Sequence, residues 1–229
     1  MNNLSTQLDF KNNGYCIVRS AISTELRDFV TQYALFDEMQ DFTPEKAFVG
    51  GEAPCPEAHS KYCDPAMESM LIHLQPVMEQ AVGFSLFPTY CYYRIYRNDD
   101  RMPPHVDRPS CEISATVCLN FNYDPDKVWS IYLDGKQVDL LPGDLAIYRG
   151  CEVPHWREPF NKGQDAWQVQ AFFHYVDTQG PNVEWKWDKR PSLGVLGSGP
   201  NIQRLKEYKA SSIKSSDTVT EKSYIQYTK

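Results

Sequence analysis

The sequence contains no Cys-x-x-Cys pair, no stretch approaching the roughly 18 apolar residues of a membrane-spanning helix, and no Lys/Arg-rich run ahead of its C-terminal tail. Each absence excludes something. The seven cysteines (Cys16, Cys55, Cys63, Cys91, Cys111, Cys118 and Cys151) are odd in number and unpaired by spacing. That argues against a zinc–thiolate site and for small buried hydrophobes in a reducing compartment. The opening MNNLSTQLDFKNNGYCIV lacks the charged-then-apolar pattern of a secretory leader. The expectation is a cytoplasmic protein that does not engage a membrane. With a net charge of -7 and a pI near 5.3, nucleic acid is not an expected partner. The chain shows no internal repeat.

What is present suits one domain with a tail. A chain of 229 residues, 41% hydrophobic and 13% aromatic, can bury a substantial core. The texture predicts a single domain over 1–190, with a helical part over about 1–85 and a β-rich core over about 86–190. An extended or disordered tail is expected over 191–229, where SLGVLGSGPN and KASSIKSSDTVTEKS offer little to bury. In the helical part, GYCIVRS reads as a short strand and Ser23 as the cap of a helix. A loop rich in Pro, Gly and acidic residues is expected from Thr43 to Asp64. Asp64 and Pro65 then open a second helix that Gly83 closes. Its stripe of Met67, Met70, Leu71, Leu74, Met78 and Ala81 is a core face, and His73 falls off it toward solvent. From Leu86 the pattern changes to TYCYYRIYR, EISATVCLNFN, WSIYLDG, QVDLL, DLAIYRG and AWQVQAFFHYV, strands separated by turn signals such as LDGK and LPGD.

Two stretches carry chemistry. RMPPHVDRPS places His105 and Asp107 at i and i+2, which project from one face of a strand. LLPGDLAIYRGCEVPHWREPF feeds a Pro-Gly-Asp turn into an apolar strand expected to deliver His155 at its far end. His105, Asp107 and His155 make a two-His-one-carboxylate set, the donor set suited to non-haem Fe(II) with coordination positions left open.

This arrangement resembles the Fe(II)- and 2-oxoglutarate-dependent dioxygenases, most closely their prolyl-4-hydroxylase-like branch. The likeness spans about residues 86–177 and rests on order: His-x-Asp, fifty residues, then a His behind a PGD turn. The strand after His-x-Asp also ends in Leu119-Asn120, as in that branch. Tyr96 stands nine residues before His105, where the branch carries a tyrosine beside the cosubstrate. The resemblance implies a mainly β fold with flanking helices. This is a double-stranded β-helix (a cupin-like jelly roll) with N-terminal helices packed on one sheet. It implies Fe(II) and 2-oxoglutarate as cofactors, with hydroxylation of an amino acid, peptide or small metabolite and release of succinate and CO2. Asp107 argues against the halogenases of that superfamily, which have Ala or Gly at the carboxylate position.

One departure stands out. The family places a Lys or Arg on the last core strand to meet the distal carboxylate of 2-oxoglutarate, whereas WQVQAFFHYV offers Gln168 and Gln170. A buried carboxylate needs a cation, preferably a bidentate one. Arg157, two residues past His155, is the first candidate, and Arg94, alternating with Tyr92 and Tyr96, the second. His174 reads as a hydrogen-bonded core or rim histidine and His59 as a loop histidine. Arg108, Glu112 and Trp129 are candidate substrate contacts near the mouth. Two competing readings use the same features: a cupin-like metalloenzyme without 2-oxoglutarate, and a catalytically silent jelly-roll binding module.

Overall fold

In the computed structural model, which describes residues 3–41 and 58–195, three helices flank ten strands. Helix α1 spans Asn3–Asn13, α2 Thr24–Asp41 and α3 Pro65–Val82. The Ser23 hydroxyl accepts from the Leu26 amide at 3.3 Å and caps α2. Asp64 caps α3 through the amides of Ala66 and Met67, Pro65 takes its first turn, and Gly83 ends it at φ 89°. Every residue of the α3 apolar stripe is buried, and His73 is exposed. Helix α1 has no such stripe to announce it: Leu4 and Leu8 face solvent and only Phe10 is driven into the core.

The strands are β1 (Tyr15–Val18), β2 (Ser60–Tyr62), β3 (Leu86–Tyr96), β4 (Met102–His105), β5 (Ile113–Phe121), β6 (Ile131–Leu133), β7 (Lys136–Val138), β8 (Leu145–Arg149), β9 (His155–Arg157) and β10 (Gln168–Asp177). They form two antiparallel sheets, one of six strands ordered β1-β8-β5-β10-β3-β2 and one of four ordered β4-β9-β6-β7. The period of two divides each long strand between two environments. On β3, Cys91, Tyr93 and Ile95 join the core shared with Met67, Leu71 and Leu74 of α3. The intervening Tyr92, Arg94 and Tyr96 face a cavity. The small sheet packs on the large one through Met102, Ile131 and Leu133 against Cys118, Ala146 and Tyr148.

Two expectations need correction. Strand β8 does not carry His155 at its end. The chain leaves β8 at Arg149, turns with the amides of Glu152 and Val153 bonded to the Arg149 carbonyl, and crosses to β9 of the other sheet. The stretch expected as loop from Thr43 to Asp64 contains β2, which pairs with β3 through Ser60↔Arg94; residues 42–57 lie outside the described residues.

After β10, a kinked strap, Val183–Lys189, packs against β3 and is followed by Arg190. The Arg190 guanidinium meets Glu68 of α3 at 2.5 Å, with both side chains buried, and also donates to the carbonyls of Thr89 and Val195. The Gly194 amide donates to the same Glu68 carboxylate. The first residues of the expected tail are thus held to the domain, and residues from 196 onward lie outside the described residues. Removing one partner of a buried ion pair strands the other, a loss of about 3–5 kcal/mol. Glu68→Ala is therefore expected to lower unfolding free energy by about that amount in urea titration. A loss under about 1 kcal/mol would mean that the strap is not part of the cooperative unit.

Candidate metal centre and the cavity above it

His105 ends β4 and faces His155 at the start of β9, its antiparallel partner in the small sheet. Their rings lie 4.3 Å apart between centroids. Asp107 sits just beyond β4, where its amide donates to the Gly150 carbonyl at 2.8 Å. The i, i+2 spacing therefore brings both side chains together, with a turn instead of a continuing strand holding the second. The ligand atoms of His105, Asp107 and His155 all lie within 4.8 Å of one another. Asp107 Oδ1 is 3.7 Å from His105 Nε2 and 3.5 Å from His155 Nε2. An ion with bonds of about 2.1 Å separates adjacent ligands by about 3.0–3.4 Å, so small side-chain movements close the set.

Hydrogen bonds behind the ligands fix their chemistry. His105 Nδ1 lies 2.8 Å from the Pro103 carbonyl and His155 Nδ1 2.9 Å from that of Val153. A carbonyl only accepts, so each Nδ1 carries the proton and each Nε2 presents its lone pair. Asp107 Oδ2 accepts from Ser114 Oγ at 2.8 Å, which leaves Oδ1 for an ion. Behind Ser114, His174 Nδ1 lies 2.9 Å away. Burial first, followed by Arg108 and His155 against the opposing pull of Asp107, brings the His174 pKa down to about 4. The Ser114 hydroxyl has one proton to give, with Asp107 Oδ2 at 2.8 Å and the Cys111 carbonyl at 3.0 Å as acceptors; when it goes to Asp107, Nδ1 of the neutral ring is the donor to Ser114 Oγ. Burial raises the Asp107 carboxyl pKa, but His155, His174 and Ser114 outweigh it and hold it below the usual range.

Asp107, Cys111 and His174 also cluster within the same span. Burial and the Asp107 charge push the Cys111 thiol up to about 12, which opposes thiolate ligation, and His174 Nδ1 is engaged by Ser114. Ser114 and His174 thus orient Asp107. Losing an outer partner of a metal ligand costs roughly 10–100-fold in affinity. Ser114→Ala is expected to weaken Fe(II) or Co(II) binding by about that factor in anaerobic titration. An unchanged affinity would remove Ser114 from the metal centre.

The triad opens into a cavity of about 490 Å³ whose wall includes Tyr62, Tyr90, Tyr92, Phe172, Arg94 and Tyr96. Tyr96, at the end of β3, faces this cavity. Arg94 lines the cavity opposite Gln170 on β10, donating to the Tyr92 hydroxyl at 3.0 Å. The glutamines are engaged in a chain: Tyr123 donates to Gln168, Gln168 to Gln170 at 2.8 Å and Gln170 to Thr116 at 2.6 Å. Arg157 is fully buried and does not line the cavity. Its Nη1 donates to the Trp129 carbonyl at 2.5 Å and its guanidinium carbon lies 4.8 Å from the Trp129 ring. Its Nε and Nη2 have no hydrogen-bond partner among the described residues, nor does it meet a carboxylate there. Burial pushes its pKa down.

Among the proposed mouth residues, only Arg108 lines the cavity. Trp129 is buried against Tyr96 and Phe160, because its indole N–H is tied to the Glu158 carbonyl. Glu112 accepts from the Asp177 amide and secures the end of β10. His59 faces neither cavity nor solvent but lies between Asp37 of α2, at 2.9 Å, and Tyr93, at 3.0 Å. Ser114, Gly150 and Asp188 join the site unannounced, since each depends on contacts distant in sequence.

The two-sheet fold is similar to that of solved 2-oxoglutarate-Fe(II) oxygenases. An oxygenase of that family from Burkholderia pseudomallei superposes with a TM-score of 0.58 at 12% identity, covering 80% of this chain and 93% of that one. A Trichoplax adhaerens prolyl hydroxylase, in complex with a hypoxia inducible factor peptide fragment, gives 0.57 at 16%, covering 77% and 90%. The epimerase SnoN, in complex with Fe3+, α-ketoglutarate and nogalamycin RO, gives 0.60 at 13%, covering 86% and 93%. At such identities the likeness is one of fold. No family profile matches the chain, and no curated protein sequence does.

Proposed function

We propose that the chain is an Fe(II)- and 2-oxoglutarate-dependent oxygenase of the prolyl-4-hydroxylase-like branch, with its sheets wound as a double-stranded β-helix. It hydroxylates an amino acid, peptide or small metabolite and releases succinate and CO2. The observation that carries this is the triad itself: three ligand atoms converge with both imidazoles already in the ligating tautomer. His105, Asp107 and His155 would hold the iron, at which O2 as oxidant and 2-oxoglutarate as two-electron donor would supply the hydroxylating power. Asp107 is oriented by Ser114, and aromatic rings line the cavity in which the substrate would lie.

Two cations lie near the triad for a 2-oxoglutarate carboxylate to meet: Arg94 lines the cavity, and Arg157, buried outside its lining, keeps an unsatisfied edge. Nε and Nη2 form one side of the guanidinium fork, a shape that takes a carboxylate in two hydrogen bonds. Tyr96 would stand beside the cosubstrate. A cytoplasmic, reducing setting suits the six described cysteines, all of them free. Among the described residues no helix is long and apolar enough to cross a membrane.

Anaerobic addition of Fe(II) and 2-oxoglutarate tests the reading. A weak visible charge-transfer band, followed by succinate release in air, is the expected result. Iron binding without the band would favour the cupin-like enzyme. No metal binding at all would favour a silent binding module.

A further inference from the structure

Arg108 follows Asp107 directly in the chain and lines the same cavity. Its guanidinium makes a two-point pair with Asp188 of the strap, Nη1 to Oδ1 at 2.8 Å and Nη2 to Oδ2 at 2.9 Å. The Tyr62 hydroxyl donates to the same carboxylate. Aromatic rings surround this pair: Tyr90 lies 4.7 Å and Trp185 5.9 Å from the Arg108 guanidinium carbon, and Tyr62 packs on Tyr90. A planar fork, a phenol and aromatic walls are the parts of a receptor for a carboxylate on an apolar body. The chain's own Asp188 occupies it.

The strap that delivers Asp188 is held against its backbone preference. Trp187, Asp188 and Lys189 adopt φ of 55°, 55° and 59°, three successive residues in the left-handed region. Aspartate tolerates that region, but tryptophan and lysine disfavour it and successive occupancy is uncommon. On one side the strap is fixed by Arg190 in its buried pair with Glu68. On the cavity side the latch is Arg108–Asp188, with 45% of the Arg108 side chain exposed against 9% for Asp188. An anion arriving from solvent can therefore reach the cation, and releasing Asp188 relaxes the strained residues.

We propose that Arg108 is a specificity-determining residue that receives the carboxylate of a small organic acid with an aromatic or apolar body. The substrate carboxylate displaces Asp188, which holds the place until then. A cavity of about 490 Å³ suits a small molecule. The proposal rests on the oxygenase reading for what happens to the acid, but its recognition step needs neither iron nor 2-oxoglutarate.

The test titrates metal-free, full-length protein with 3-phenylpropionate and with 3-phenylpropanamide, following tryptophan fluorescence, to which Trp185 and Trp187 of the strap contribute. The acid should bind at least about tenfold more tightly than the amide. Asp188→Asn removes the competing carboxylate and should tighten the acid about tenfold or more without helping the amide. Arg108→Gln should lose the preference for the acid. Arg108→Lys, which keeps the charge without the fork, should retain part of it. Equal binding of acid and amide to the Asp188→Asn protein overturns the proposal, as does acid binding that survives Arg108→Gln, or no binding of the acid to wild type and Asp188→Asn alike. Because no metal is present, this result and the charge-transfer result can fail separately.

Discussion

Gly150→Ala is expected to cost at least about a hundredfold in metal affinity, roughly 2.8 kcal/mol at about 1.4 kcal/mol per decade, while leaving the two sheets in place. A Cβ built on Gly150 would lie 2.1 Å from the Cys111 carbonyl oxygen, 2.5 Å from Asp107 Oδ2 and 2.6 Å from Ser114 Oγ. Two of those atoms belong to the arrangement that aims Asp107, and the first is backbone, which cannot yield cheaply. Gly150 also accepts from the Asp107 amide and donates to the Glu112 carbonyl, so displacing it moves the whole turn between β8 and β9. Overpacking of this kind carries a stability cost of about 1–3 kcal/mol. The checks are anaerobic Co(II) or Fe(II) titration for the site and far-UV circular dichroism for the fold. Wild-type metal affinity in a folded Gly150→Ala protein would show that the close packing around Asp107 does not set its position.

That glycine illustrates what was and was not legible in the sequence. The convergence of His105, Asp107 and His155 is legible because residue type, short spacing and chain order are visible in one dimension. Helix α3 was legible for the same reason, since its cap, its stripe and its terminal glycine are local. Contacts made across the fold were not. Gly150 touches Ser114, and Asp188 reaches Arg108 across 80 positions, without any periodicity to mark them. Strand β9 is not visible as a strand separate from β8, because its pairing with β4 and β6, rather than its composition, makes it one. Trp129 looked like a mouth residue from its position in the chain, yet the hydrogen bond from its indole to Glu158 turns it inward.

Arg157→Gln is expected to move cosubstrate affinity and stability in opposite directions. The guanidinium is buried with Nε and Nη2 unpartnered among the described residues, and an uncompensated buried charge costs several kcal/mol. Glutamine is neutral and shorter, so the metal-free variant should melt no lower than wild type, although it gives up the bond to the Trp129 carbonyl. If the same charge exists to meet the distal carboxylate of 2-oxoglutarate, the variant should need 10- to 1,000-fold more of it, at about 1.4 kcal/mol per decade. Metal affinity should change little, because His155 keeps its bond to the Val153 carbonyl. Arg94→Gln is the paired comparison: Arg94 lines the cavity opposite Gln170, but the Tyr92 and Tyr96 rings and the Tyr92 hydroxyl already engage its guanidinium. Titration of the metal-loaded proteins with 2-oxoglutarate, read by the charge-transfer band, separates the two arginines. A cosubstrate defect in Arg94→Gln alone would place the anchor on β3. A large fall in melting temperature for Arg157→Gln with unchanged cosubstrate affinity would make Arg157 a packing residue. A defect in neither would move the cupin-like enzyme ahead, because a buried dicarboxylate must meet a cation somewhere in the site.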